Sequence, residues 1–136
     1  MQKPDGQGLR IYMDPKFLNA ALQRSTHHMQ TTDDIQPNLN NVKVMSTVHI
    51  RQAFSMLKLY RESSMINTFE TPFGRYRWLR LAMGLSVSPE IFASRIQAAL
   101  SGLKGVYCIA DDILVTGAGD DVAADTRDYD ANLLAF

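Results

Sequence analysis

The sequence predicts an α+β protein, an antiparallel sheet with helices packed on one face and a smaller part built on β-hairpins. Three observations carry this. Residues 105–117 form an apolar, β-branched run bounded by glycines and interrupted by Asp111-Asp112, so they read as two short strands joined tightly at or near the carboxylates. Residues 65–71 and 75–80 flank Pro72-Phe73-Gly74 as the arms of another hairpin. Between the two hairpins, Ser88 as N-cap, Pro89 at the first helical position and Glu90 in the first turn open a helix. Its stripe of Ile91, Phe92, Ile96, Ala99, Leu100 and Leu103 needs a sheet to cover.

Taken in order, Pro4, Asp5, Gly6 and Gly8 make the start a tight turn. Leu9, Ile11 and Met13 then alternate with Arg10, Tyr12 and Asp14, the pattern of a half-buried strand whose polar face carries Arg10, with Lys3 able to share that side. Asp14 as N-cap and Pro15 at N1 predict a short helix through Phe17, Leu18, Ala21 and Leu22. Residues 23–30 have no period and read as loop; the neighbours His27 and His28 have no further ligand at a metal-binding spacing. Thr32 with Asp33 and Asp34 starts a helix that runs to Leu39 and ends at Asn40-Asn41. Residues 42–48 alternate as a strand closed by His49, followed by one helical turn at 50–54 and an extended stretch at 55–59. Residues 84–87 are a loop before the long helix, which Gly102 and Gly105 end. After a loop at 117–119, residues 120–136 read as a last helix with Leu133, Leu134 and Phe136 apolar.

A chain of 136 residues, 46% hydrophobic, can bury one core, as a single compact unit or a piece of a larger domain. The lone Cys108 excludes an internal disulfide or a Cys-based zinc site and fits a reducing compartment. With no basic leader before an apolar run and no apolar stretch long enough to span a bilayer, the expectation is a soluble, intracellular protein, cytoplasmic or nuclear, with no membrane partner. The net charge of zero conceals an asymmetry. Residues 1–110 hold thirteen Lys and Arg against seven Asp and Glu, while residues 111–136 hold Arg127 against seven Asp. A basic body suits a polyanion, and the acidic residues beyond Asp112 read as a solvated helix face.

Two adjacent carboxylates repel unless a cation lies between them, and hard divalent ions such as Mg²⁺ take oxygen ligands. Neighbours on a flat strand face opposite ways, so only a turn lets Asp111 and Asp112 reach one ion. A solvated hairpin tip is the alternative, because Asp is a common turn residue. In the other hairpin, Arg75, Arg77 and Arg80 interleave with Tyr76 and Trp78, which suits a nucleic-acid strand: guanidinium groups meet phosphates and bases stack on rings. An ordinary exposed hairpin looks similar.

The order of motifs adds a family. Lys3-Pro4-Asp5-Gly6 with Arg10, Asp14-Pro15-Lys16-Phe17-Leu18-Asn19, residues 71–78 (TPFGRYRW), Gly84-Leu85-Ser86-Val87-Ser88-Pro89 and Ile109-Ala110-Asp111-Asp112 together resemble the reverse transcriptase of gypsy-type long-terminal-repeat retroelements, over nearly the whole chain. The resemblance implies fingers (about residues 1–41 and 60–83) and palm (about 42–59 and 84–136). The family's thumb and RNase H regions lie beyond this sequence, so a fragment of a longer polyprotein is expected. It further implies an RNA-directed DNA polymerase, a nucleotidyltransferase using Mg²⁺ or Mn²⁺ on an RNA or DNA template-primer and deoxynucleoside triphosphates. Asp111 and Asp112 match the metal-binding carboxylates, with Ile109 where the family has an aromatic residue. Lys3 and Arg10 match the triphosphate contacts, Phe54 the gate against a ribose 2′-hydroxyl, and Met83 the nucleotide-pocket loop.

The chief departure is His49, at the position of the family's first catalytic Asp. An imidazole removes one negative charge from a two-metal site and favours softer ions such as Mn²⁺ or Zn²⁺. His28, Gln30 and Ala82 also stand where the family has prolines, and Asn41 where it has a glycine. The expectation is therefore a polymerase fragment with impaired chemistry. The alternative is a catalytically inactive nucleic-acid-binding or vestigial module derived from a retroelement.

Overall fold

A computed structural model describes residues 11–24 and 26–136, which fall into two compact units, one within residues 1–26 and 52–92 and one within 27–51 and 93–136. The elements are α1 (Lys16–Ala21), α2 (Thr32–Leu39), β1 (Met45–His49), α3 (Ala53–Met56), α4 (Arg61–Ile66), β2 (Thr68–Thr71), β3 (Gly74–Arg77), α5 (Ser88–Leu100), β4 (Val106–Ile109), β5 (Asp112–Thr116) and α6 (Val122–Ala135). This is the α+β mixture the sequence predicts. Among the described residues no helix is long and apolar enough to cross a membrane.

The second unit holds the expected three-stranded sheet, in the order β1-β5-β4 with both pairs antiparallel. Cys108 faces Ile113 across the β4–β5 pair, and Val115 lies two residues on, so all three point to one side and form a buried cluster. Ile96 and Leu100, one turn apart on α5, cover that cluster together with Ile50, Val106 and Tyr129. Burying Ile113 and Val115, 3% and 0% exposed, stabilises the unit by about 1.5–3 kcal/mol each. Of the expected stripe, Ile96 and Leu100 meet the sheet, whereas Ile91 and Ala99 are exposed.

The expected last helix is α6, and its apolar residues are not the ones it buries. Leu133, Leu134 and Phe136 are exposed, and the buried positions are Asp125 and Asn132. Asp125 accepts hydrogen bonds from the backbone N–H groups of Lys43 (2.6 Å) and Val44 (2.5 Å), Asp121 caps the helix through Ala124 N, and Asp128 accepts from Ala118 N. Three of the five acids beyond Asp112 thus satisfy backbone donors, and only Asp125 leaves the solvated face that the other four keep. Asn132 Nδ2 donates to Thr116 O at 2.9 Å, and Gly105, at φ +63, lies so close that an added Cβ would stand 2.5 Å from that amide nitrogen. Gly105→Ala is therefore expected to destabilise the unit by about 1–3 kcal/mol, from the left-handed φ and the forced contact, as a shifted urea midpoint would report.

Other boundaries move by a residue or a turn. The cap of α2 is Thr31, not Thr32, in a reciprocal box with Asp34, whose carboxyl the Thr31 backbone N–H holds below its ordinary range. Strand β1 begins at Met45, leaving 42–44 outside the ladder.

In the first unit, Ile11–Asp14 form no strand; Met13 N donates to Met83 O, and the Leu9 and Arg10 half of the pattern lies outside the described residues. Pro15 sits at the N-cap of α1 rather than at N1, and none of the α1 residues is buried. Gln52 adopts left-handed φ and ψ and delays α3, so Ser55 and Met56 are helical where an extended stretch is expected. Helix α4 takes Met65 and Ile66 out of the expected hairpin arm, because Ser64 is buried with its hydroxyl bonded to Trp78 O (2.6 Å). What remains pairs as β2 with β3, Glu70 opposite Arg75 and Thr68 opposite Arg77. Helix α5 starts at Ser88 itself, whose hydroxyl donates to Ala82 O (2.8 Å), both residues buried, and ends at Leu100. In its first turn Glu90 pairs with Arg24, and that guanidinium beside it holds the Glu90 carboxyl below the usual range.

Candidate metal centre

Strand register builds the site. His49, the last residue of β1, pairs with Asp112, the first of β5, and Asp112 pairs on its other side with Ile109, the last of β4. Ala110 and Asp111 make the two-residue connection, with Ala110 at φ +55. A positive φ at the first central residue suits the twist of a tight hairpin and turns the Asp111 side chain off the strand alternation. Ile50 N donates to Asp111 O at 2.8 Å, which fastens this turn to the end of β1.

The result is an imidazole between two carboxylates. His49 Nδ1 lies 2.9 Å from Asp112 Oδ1, and Nε2 lies 3.8 Å from Asp111 Oδ2. One ligand atom from each residue falls within 4.8 Å of the others, and the three side chains are about half exposed, so an ion can reach them from water. The turn thus brings both carboxylates to one place, as the sequence requires of a metal site. The donor set fits one divalent ion better than two, since it offers two carboxylates and a nitrogen instead of three carboxylates. Cys108, two residues before the turn, is not a competing donor: burial pushes its thiol pKa up, and the Asp111 and Asp112 charges push the same way.

The other expected site residues lie in the first unit, apart from Lys3 and Arg10, which are outside the described residues. Phe54 is partly buried and meets Phe92 edge-on, centroids 5.7 Å apart. Met83 is partly buried in the loop before α5, its carbonyl accepting from Met13 N. On β3, Arg75 and Arg77 project from one face, whereas Tyr76 and, past the strand end, Trp78 lie against Phe69 at 6.1 and 5.8 Å between centroids. The aromatic residues thus stack on one another, while the arginines are exposed. Arg80 is partly engaged, donating from Nη1 to Met56 O. His27 Nε2 lies 2.7 Å from Gln97 Oε1 and His28 Nε2 lies 3.2 Å from Asp34 Oδ2; among the described residues the candidate metal-ligand group is His49, Asp111 and Asp112. Sequence reasoning missed Asp125, whose signal was weak: an acid one turn after a capping Asp121, beyond a Gly-x-Gly.

Residues 1–129 match the family described as reverse transcriptase (RNA-dependent DNA polymerase). The chain belongs to this family. An uncharacterized protein of Caenorhabditis elegans is 31% identical over 119 residues, 85% of this chain and 9% of that protein. The retrovirus-related Pol polyprotein from transposon 412 of Drosophila melanogaster is 28% identical over 118 residues, 85% of this chain and 10% of the polyprotein. This reverse transcriptase chain therefore spans about a tenth of the length of those relatives. Among solved structures, the foamy viral protease-reverse transcriptase in complex with double-stranded DNA has the same fold, with a TM-score of 0.77 at 24% identity over 99% of this chain and 24% of that one.

Proposed function

We propose that the chain supplies the fingers and palm of an RNA-directed DNA polymerase encoded in a gypsy-type retroelement polyprotein. It would act on an RNA or DNA template-primer and deoxynucleoside triphosphates. The observation that carries the reading is the register that delivers Asp111 and Asp112 to the end of β1, in a chain of the reverse transcriptase family. Fingers at about residues 1–41 and 60–83 and palm at about 42–59 and 84–136 keep the whole three-stranded sheet in the palm. A bound divalent ion, Mg²⁺ or in its place Mn²⁺, supplies charge to neutralise the triphosphate and the primer alkoxide. The chain's own residues hold and aim. Asp111 and Asp112 are the ion's carboxylates, Lys3 and Arg10 take the triphosphate, Phe54 blocks a 2′-hydroxyl, and Met83 shapes the nucleotide pocket. Arg75, Arg77, Trp78 and Arg80 hold the nucleic acid.

Primer extension on an RNA template tests the reading, with Mg²⁺ and Mn²⁺ compared side by side. Incorporation is expected to be weak with Mg²⁺ and somewhat stronger with Mn²⁺, and to vanish in Asp111→Asn. Incorporation that survives Asp111→Asn would remove the site from that role. His49 favours one other reading, a nucleic-acid-binding module without chemistry, which predicts duplex binding and no incorporation with either ion.

Binding has its own prediction. Each phosphate contact adds about 0.9 to the slope of log affinity against log salt on duplex DNA. Replacing Arg75, Arg77 and Arg80 with alanine should lower that slope by roughly 2–3, with Arg80 contributing least because it is already bonded to Met56 O. A fluorescence-anisotropy salt series measures it, and an unchanged slope would exclude these arginines from the interface.

A further inference from the structure

We infer that His49 makes this a site for a single transition-metal ion of the Zn²⁺ class, with His49 Nε2 and Asp111 as ligands and Asp112 as the carboxylate that orients the imidazole. The inference builds on the site proposed above but concerns which ion binds, how many, and the division of labour between the two aspartates. It begins from the two ring nitrogens. Nδ1 is at hydrogen-bond distance, 2.9 Å, from Asp112 Oδ1, and an ionised carboxylate only accepts, so Nδ1 carries the proton. The Nε2 lone pair is then free, and the nearest carboxylate to it is Asp111 Oδ2 at 3.8 Å. A ligating histidine held through its other nitrogen by a carboxylate is a recurrent arrangement at zinc, because it fixes the tautomer and raises the basicity of the ligand.

The spacing agrees. Two ligands 2.0–2.2 Å from a tetrahedral ion stand about 3.4 Å apart. The 3.8 Å gap closes to that value by a small rotation of the Asp111 side chain, which is about half exposed. Mg²⁺ demands an octahedron of oxygens and dehydrates reluctantly, so it gains little from the imidazole, whereas Zn²⁺ takes nitrogen and carboxylate ligands together in a tetrahedron. One nitrogen and one carboxylate leave two positions for water or a substrate oxygen. Asp112, with Oδ1 on the imidazole, acts on this ion through His49 rather than as its direct ligand.

Calorimetric titration of the full chain with Zn²⁺ and with Mg²⁺, and the visible spectrum of added Co²⁺ as a report on ligand type, test the inference. The expected result is one Zn²⁺ per chain, undiminished by a tenfold excess of Mg²⁺. His49→Ala, His49→Gln and Asp111→Asn should each weaken Zn²⁺ binding at least tenfold, and circular dichroism of these variants confirms the fold. Asp112→Asn should weaken it about 10–100-fold while keeping the Co²⁺ band of a nitrogen-ligated ion, the mark of an orienting group. Replacing His27 and His28 should change nothing. Zn²⁺ binding that survives loss of His49, displacement by equimolar Mg²⁺, or two equivalents bound would each overturn the inference. Primer extension judges the polymerase reading separately, because a chain that binds one Zn²⁺ and extends nothing fails only that reading.

Discussion

Replacing His49 with aspartate is expected to raise single-nucleotide incorporation with Mg²⁺ by roughly 10²- to 10⁴-fold, the return of several kcal/mol of transition-state stabilisation. The backbone is already in place, because position 49 pairs with Asp112 across the β1–β5 ladder and Ile50 N holds the Asp111 carbonyl. The substitution changes only the head group at the end of an aimed strand. It swaps a nitrogen donor for an oxygen anion and releases Asp112 from the imidazole, so that three carboxylates face the ions. Without metal, three neighbouring anions repel, and His49→Asp should therefore be less stable than the parent until Mg²⁺ is added, an order that a thermal melt reads directly. In the His49→Asp background, Asp111→Asn should abolish the gain, since an amide keeps the ligand's shape but not its charge. Single-nucleotide incorporation by the parent, each single variant and the double variant measures the cycle. Equal activity of the parent and His49→Asp would show the third carboxylate to be dispensable and would overturn this account of the site.

The elements around the site were legible because they rest on local patterns. Alternation in residues 42–48, glycines on both sides of the Asp-Asp run, and Ser88-Pro89-Glu90 before an apolar stripe each specify an element without help from distant residues. The meeting of His49 with Asp111 and Asp112 was expected from the resemblance to reverse transcriptases, because periodicity gives a strand but not its partner. The failures share the opposite cause. Met65 and Ile66 look like strand residues, but a bond from Ser64 to Trp78 O holds this turn as helix, and that bond spans fourteen positions. Ile11–Asp14 alternates like a strand, yet among the described residues its long-range backbone bond, from Met13 to Met83, forms no ladder. Helix α6 is held by Asp125 and Asn132, polar residues whose partners lie 81 and 16 positions away and which no local pattern marks. A carboxylate that serves a distant backbone looks in sequence like any other surface acid.

Asp125 is where that blindness has its largest energetic consequence, and Asp125→Ala is expected to lower the stability of the chain by about 2–4 kcal/mol. The residue is fully buried, and its Oδ2 accepts from both Lys43 N and Val44 N. Removing it strands two backbone donors just before β1 and leaves a void under α6. The value is not larger because Oδ1 has no partner among the described residues, so part of the carboxylate's desolvation is already uncompensated in the parent. Asp125→Asn should cost about half as much, since an amide oxygen still accepts but forms weaker bonds than a charged one. Leu134→Ala, at an exposed position of the same helix, should change stability by less than about 0.5 kcal/mol. Urea unfolding ranks the three variants, and amide exchange should quicken first at Lys43 and Val44. Those two donors fix the entry of the strand that ends in His49, so the same substitution should weaken metal binding at a site whose ligands it never touches. An Asp125→Ala chain as stable as Leu134→Ala would mean that the pairing of β1 with β5 holds the strand by itself.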